Sequence, residues 1–128
     1  MGKKIIATQN APAAVGPYSQ GVMAGNLVFT AGQIAIDPAT GKIVEGAITE
    51  QTHQVMTNLQ AILTTAGTSL DNVAKTTVFL QDMDDFSEMN QVYGRYFEGE
   101  PPARSTVQVT KLPLGVLVEI EAIALIPG

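Results

Sequence analysis

Hydrophobic periodicity along the chain switches near residue 47. Residues 26–32, Asn-Leu-Val-Phe-Thr-Ala-Gly, are rich in β-formers and follow a Gly25-Asn26 turn signal, which predicts a strand. Asp37-Pro38-Ala39-Thr40-Gly41 marks a second turn, with Ile34, Ile36, Ile43 and Val44 on its flanks. The first forty residues therefore read as strands. From Ala47 onward, Ile48, Val55, Met56, Leu59, Ile62, Leu63 and Ala66 recur at helical spacing, and Gly67 stands where a helix C′ residue belongs. Residues 73–80 are β-branched and predict a strand. Asp85, with Glu88 three residues on, forms a capping-box pattern ahead of a second apolar stripe: Phe86, Met89, Val92, Tyr93, Tyr96 and Phe97. After Pro101-Pro102 come strands at 105–109 and 117–125, read as the arms of a final hairpin. The order ββ(β)αβαββ predicts an α+β domain over residues 1–128, a mixed β-sheet with two helices packed on one face. Nothing in the chain is left to cover the other face, so oligomerisation is expected to do so.

Composition narrows the functional classes. With 45% hydrophobic and 15% charged residues in 128, the chain suits one packed domain and not a disordered segment. Its net charge is -5, and its two arginines, Arg95 and Arg104, lie apart, which argues against a broad nucleic-acid-binding face. No cysteine is present, and no apolar run approaches the ~18 residues of a membrane span. A soluble, cytoplasmic protein is expected. Gly41-Lys42 lacks the upstream glycine and the following Ser/Thr of a P-loop, and no dinucleotide-binding glycine fingerprint occurs. One histidine, His53, and no cysteine leave little for a zinc site or a Ser-His-Asp triad. His53 reads as a solvated helix residue.

Four places carry candidate chemistry. Arg104 follows Pro101-Pro102-Ala103 and opens a strand, so stiff backbone holds a guanidinium suited to two parallel bonds with a carboxylate. It serves either as an anchor for a small acid or as an ion-pair partner of Glu119 or Glu121. Glu119 and Glu121, at i and i+2 of the last strand, share a face with Leu117, Ile123 and Leu125, while Val118, Ile120, Ala122 and Ala124 form an apolar face toward the helices. The two carboxylates either point to solvent or, on a partly covered face, act as a general base. Gly16-Pro17-Tyr18-Ser19-Gln20-Gly21 is a shaped loop carrying a phenol, and Thr30-Ala31-Gly32-Gln33 ends a strand at a glycine that a ligand can approach closely.

In order along the chain, residues 11–21 (APAAVGPYSQG), 30–34 (TAGQI), 102–105 (PARS) and 118–124 (VEIEAIA), with Asn90, resemble the RidA/YjgF family. That resemblance implies a chorismate-mutase-like fold and a homotrimer with clefts between neighbouring subunits. It implies a metal- and cofactor-independent 2-iminobutanoate/2-iminopropanoate deaminase, hydrolysing enamines and imines such as 2-aminoacrylate to 2-keto acids and ammonia. Pyridoxal-phosphate-dependent serine and threonine dehydratases would supply the substrates. By position, Arg104 would hold the substrate carboxylate and Glu119 would position water, with Tyr18, Ala31, Gly32, Asn90 and Thr106 lining the cleft. Ala31 stands where the family usually has serine, Thr106 where cysteine is frequent, and the 97–101 loop is short and lacks an aromatic before Pro-Ala-Arg. The resemblance also implies two alternatives: an endoribonuclease or translation inhibitor, which the acidity and the lack of a histidine pair disfavour, and a non-enzymatic keto-acid binder or chaperone.

Overall fold

The computed structural model describes residues 2–128. Six strands form one sheet in the order β1-β2-β3-β8-β6-β7, comprising β1 (Lys3–Ile6), β2 (Gly21–Ala24), β3 (Leu27–Thr30), β8 (Val118–Leu125), β6 (Val73–Leu80) and β7 (Ala103–Gln108). A short separate ribbon pairs β4 (Ile36–Asp37) with β5 (Lys42–Ile43) around the predicted turn. All neighbours in the sheet are antiparallel except β6 and β7. These two run parallel because helix α2 (Phe86–Arg95) carries the chain back between them, as a parallel connection requires. Helix α1 (Ile48–Thr65) joins the β4–β5 ribbon to the turn before β6. The mixed sheet with two helices on one face is thus present. The final hairpin is not: β6 lies between β7 and β8.

Strand β8 organises the core. Val118, Ile120, Ala122 and Ala124 alternate with more exposed residues and meet Val55, Met56, Leu59, Ile62 and Leu63 of α1, all fully buried. Helix α2 contributes Met89, Val92 and Tyr93 from the predicted stripe. Its cap differs from expectation. Asp85 makes no side-chain cap; Asp82 instead accepts from the Asp84 N–H at 2.9 Å, because a 3-10 turn (Met83–Asp85) precedes the helix and moves the cap upstream. His53 is also not a solvated residue: half-buried on α1, its Nδ1 lies 2.8 Å from the Tyr96 hydroxyl at the end of α2.

Buried amides and a hydroxyl tie the loops to this core. Gln20 donates to the Thr8, Ala11 and Pro12 carbonyls and accepts from the Thr8 N–H, gathering the 8–20 loop around one side chain. The Thr30 hydroxyl accepts from Ala122 N–H. Asn58, wholly buried on α1, donates to the Ile34 and Ile36 carbonyls at 3.1 and 3.0 Å and accepts from Gln54 at 2.9 Å. Gln51, about two helical turns earlier, accepts from Leu117 N–H at 2.8 Å. The loops at 31–36 and 112–117 are therefore held by the same helix. Replacing Asn58 with leucine strands two buried carbonyls, and the expected loss is about 3 kcal/mol. Chemical denaturation at fixed protein concentration checks it; a loss below about 1 kcal/mol would show that the amide is dispensable.

Candidate active site

Backbone alternation decides where each candidate side chain faces. On β8, Glu119 lies on the face away from the helices, opposite Phe79 of β6. On β7, Arg104 pairs in register with Thr76, whose side chain is buried on the helix side. One sheet thus separates the two groups, with β6 between them. The ion pair of Arg104 with Glu119 or Glu121 is excluded within a chain, since both carboxylates project from the other side. Nor do Arg104 and Glu119 meet in one pocket of one chain, as a hairpin would have allowed.

Glu119 stands in a cleft of about 590 Å³ with Tyr18, Ala31, Gly32, Gln33, Ile34 and Leu114 among its walls. The reason for Gly32 is steric. A Cβ there would overlap the Glu119 carboxylate, so the missing side chain makes room for the acid. Gln33 locks this approach by exchanging backbone hydrogen bonds with Ile120, at 2.8 and 3.1 Å. Tyr18 forms the cleft's outer wall, and its hydroxyl accepts from Val15 N–H at 3.2 Å. Burial raises the Glu119 carboxyl above its ordinary pKa, and the nearby charge of Glu121 adds to the shift. A half-buried acid with a raised pKa is a candidate for proton transfer.

The second cluster lies across the sheet. The Arg104 guanidinium sits over the rings of Tyr93 and Phe86, 4.8 and 5.5 Å from their centroids. Phe86 and Tyr93, seven residues apart on α2, present one face to it. Tyr93 is braced by a 2.7 Å hydrogen bond between its hydroxyl and that of Thr76. Burial raises the Tyr93 phenol, with the Thr76 bond and the Arg104 charge opposing. Asn90 lies between the two aromatics on α2, and Thr106 follows Arg104 on the same strand face. Asn90 Oδ1 and Thr106 Oγ1 are buried without a partner. Sequence reading had assigned Phe86 and Tyr93 to the core stripe; their i, i+7 spacing beside the arginine strand was the available signal. Among the described residues, no group of three or more His, Asp or Glu is placed to hold a metal, and no helix is long and apolar enough to cross a membrane.

The α+β layer thus carries an acid-bearing apolar cleft on one face and a ring-clamped guanidinium on the other. Comparison with known proteins makes this specific: residues 8–126 match the family model described as Endoribonuclease L-PSP, and the chain belongs to this RidA/YjgF family. It is 57% identical over 122 residues to a RutC family protein of Pyrococcus horikoshii, covering 95% of this chain and 97% of that one. It is 48% identical over 122 residues to the 2-iminobutanoate/2-iminopropanoate deaminase of Mus musculus, covering 95% and 90%. Its fold superposes on E. coli TdcF with bound serine at a TM-score of 0.91 and 46% identity, covering 95% and 98%.

The raised pKa of Glu119 has a stability consequence. Between its unfolded and folded values, the native state holds a proton that the unfolded chain has released, so stability falls as pH rises through that window. At neutral pH the desolvated carboxylate is a standing cost. Glu119→Gln is therefore expected to melt at or above the wild-type temperature at pH 7, with the gap closing on acidification below the unfolded carboxylate range. Thermal melts across pH check this; a Gln variant markedly less stable at pH 7 would show the ionised form to be stabilising.

Proposed function

We propose that the protein hydrolyses 2-imino acids to 2-keto acids and ammonia, in sites that each take Glu119 from one copy and Arg104 from its neighbour. The observation that carries this reading is the placement of the two groups on opposite faces of a single sheet. Each chain then offers two complementary half-sites. The face bearing Glu119 also exposes Ile5, Phe29, Val107 and Leu125, an apolar surface suited to further copies of the chain, and a homotrimer with three such sites satisfies both needs. Buried, unpartnered oxygens on Asn90 and Thr106 mark the arginine half as incomplete in one chain. The mouse relative's name and the serine bound to the E. coli relative support a small amino-acid-derived ligand.

In this mechanism Arg104, its planar fork clamped by Phe86 and Tyr93, binds the substrate carboxylate through two parallel bonds. Tyr18, Ala31 and the Gly32 backbone lie against the carbon skeleton, and Asn90 and Thr106 complete the arginine side. Glu119 takes a proton from water as its oxygen attacks C2, and the C=N electron pair moves onto nitrogen. Glu119 returns that proton to the nitrogen, the C–N bond breaks as the C2 hydroxyl oxygen forms C=O and gives its own proton to Glu119, and ammonia leaves a 2-keto acid. A protonated imine is electrophilic enough for this without a Lewis acid. General-base help and orientation contribute factors of about 10² to 10⁴. Serine and threonine dehydratases, which release such imines, are the matching upstream enzymes. RNA cleavage finds less support: the lone histidine is engaged by Tyr96, on the helix side and away from Glu119.

The test is threonine dehydratase acting on threonine, with and without this protein, following keto-acid appearance. Acceleration is expected, and its absence would overturn the reading. Arg104→Lys, which keeps the charge but not the fork, is expected to lower kcat/KM by about tenfold or more. A separate measurement addresses the shared site. Arg104→Ala and Glu119→Gln are each expected to be inactive. Unfolded together in equal amounts and refolded, they should recover about a quarter of wild-type activity, because some interfaces pair an intact arginine with an intact glutamate. A mixture as inactive as its components would place both groups in one chain.

A further inference from the structure

Leu114 adopts a backbone conformation that its own side chain disfavours. It stands between Pro113 and Gly115 with φ 57° and ψ 18°, the only non-glycine residue at positive φ among the described residues. Left-handed backbone brings Cβ against the following carbonyl, and a bulky branched side chain is a poor occupant there. Core packing does not offset the strain, since Leu114 is 72% exposed. The loop itself is firmly set. Leu112 and Val116 on either side are buried, and the Gly115 and Val116 N–H groups donate back to the Leu112 and Pro113 carbonyls at 3.4 and 3.2 Å. A strained, solvent-facing leucine on a fixed loop is the pattern expected when a site, and not the fold, uses the side chain.

That site is the Glu119 cleft. Leu114 lines it together with Pro113, Val15, Ile34 and Ile36. Polar groups there are few and mostly engaged: the Gln33 side chain donates to the Ala31 carbonyl at 3.3 Å, and the Tyr18 hydroxyl is held by Val15 N–H. Beyond the carboxylate itself, the walls offer hydrocarbon. At about 590 Å³ the cleft also lies in the range that takes ligands well beyond a three-carbon acid. With the carboxylate held by the neighbouring copy's Arg104 and C2 set beside Glu119, the substrate's side chain is the part directed at these apolar walls, in whatever space the neighbour leaves.

We infer that Leu114 is a specificity-determining residue that packs against the substrate side chain and selects 2-imino acids whose apolar side chains are longer than a methyl group. This rests on the imine-hydrolysis reading above. The test compares kcat/KM for the imines of leucine and alanine, generated in place by an amino-acid oxidase with catalase. Wild type is expected to favour the leucine-derived imine, and Leu114→Asn to lower that preference about tenfold, the scale of one or two methylenes lost from an apolar pocket. Asparagine suits left-handed backbone, so the variant should melt no lower than wild type. Leu114→Met, which restores an apolar side chain, should recover most of the preference. An unchanged preference in Leu114→Asn overturns the inference, as does a lower melting temperature without a change in preference. The same pair of variants is titrated with pyruvate and 4-methyl-2-oxopentanoate. If no imine is hydrolysed but the longer keto acid binds tighter in a Leu114-dependent way, the hydrolytic reading falls and the specificity assignment stands. If imines are hydrolysed with no such dependence, the reverse holds.

Discussion

Side chains on a β-strand alternate between the two faces of its sheet, and in this protein that alternation separates an acid from a cation. Arg104 shares a register row with Thr76 and therefore faces the helices; Glu119 shares one with Phe79 and faces away. No rotamer brings them together through the sheet. Each is instead finished locally by different means: the guanidinium by two aromatic rings from α2, the carboxylate by the empty space over Gly32. In the proposed reading the chain is two half-sites back to back, and its uncovered sheet face takes part in the chemistry.

Rigidity on the carboxylate side comes from polar groups placed where a core would normally exclude them. Asn58 and Gln51 are buried on α1, yet both are hydrogen-bonded to backbone, one to the loop at 34–36 and the other to Leu117 at the start of β8. Gln20 does the same for the 8–20 loop that carries Tyr18. Buried amides are costly unless satisfied, and satisfied ones specify a unique geometry. The result is a cleft whose three loops are each referred to the helix layer or to one central side chain. Glu119 then sits on an interior strand, flanked by β3 and β6.

The parts legible in the sequence were those governed by period. Helix α1 follows its apolar stripe, β6 and β8 follow β-branched runs, and the face of β8 bearing Val118, Ile120, Ala122 and Ala124 is buried as alternation demands. What depended on long-range pairing was not legible. Strands 105–109 and 117–125 are adjacent in sequence and invite a hairpin, but the α2 crossover sets β7 parallel to β6 and moves it one strand away from β8. The hairpin reading set Arg104 and Glu119 on neighbouring strands; their pairing in a cleft between subunits came from the family resemblance and does not depend on it. The short strands β1 and β2 lack a pattern long enough to read, and buried polar side chains such as Asn58 resemble surface positions until their carbonyl partners are known. Gly32 was correctly singled out for close approach, but what approaches is the chain's own carboxylate.

Leu114 shows a different kind of illegibility. Pro113-Leu114-Gly115 is a recognisable turn, and the position after a turn proline commonly demands positive φ, where glycine or asparagine relieves the strain. A leucine there contradicts local preference without any compensation from the core. Such local inconsistencies concentrate at functional sites, because elsewhere the cheaper residue has no competitor. Leu114 and Glu119 line the same cleft, so in the proposed mechanism β8 carries the acid that acts on C2 and the loop leading into β8 carries the wall that the rest of the substrate meets. On that reading, proton transfer and side-chain selection share one strand and its entry turn, so the scaffold that orients Glu119 would also fix the distance from the reacting carbon to the apolar wall.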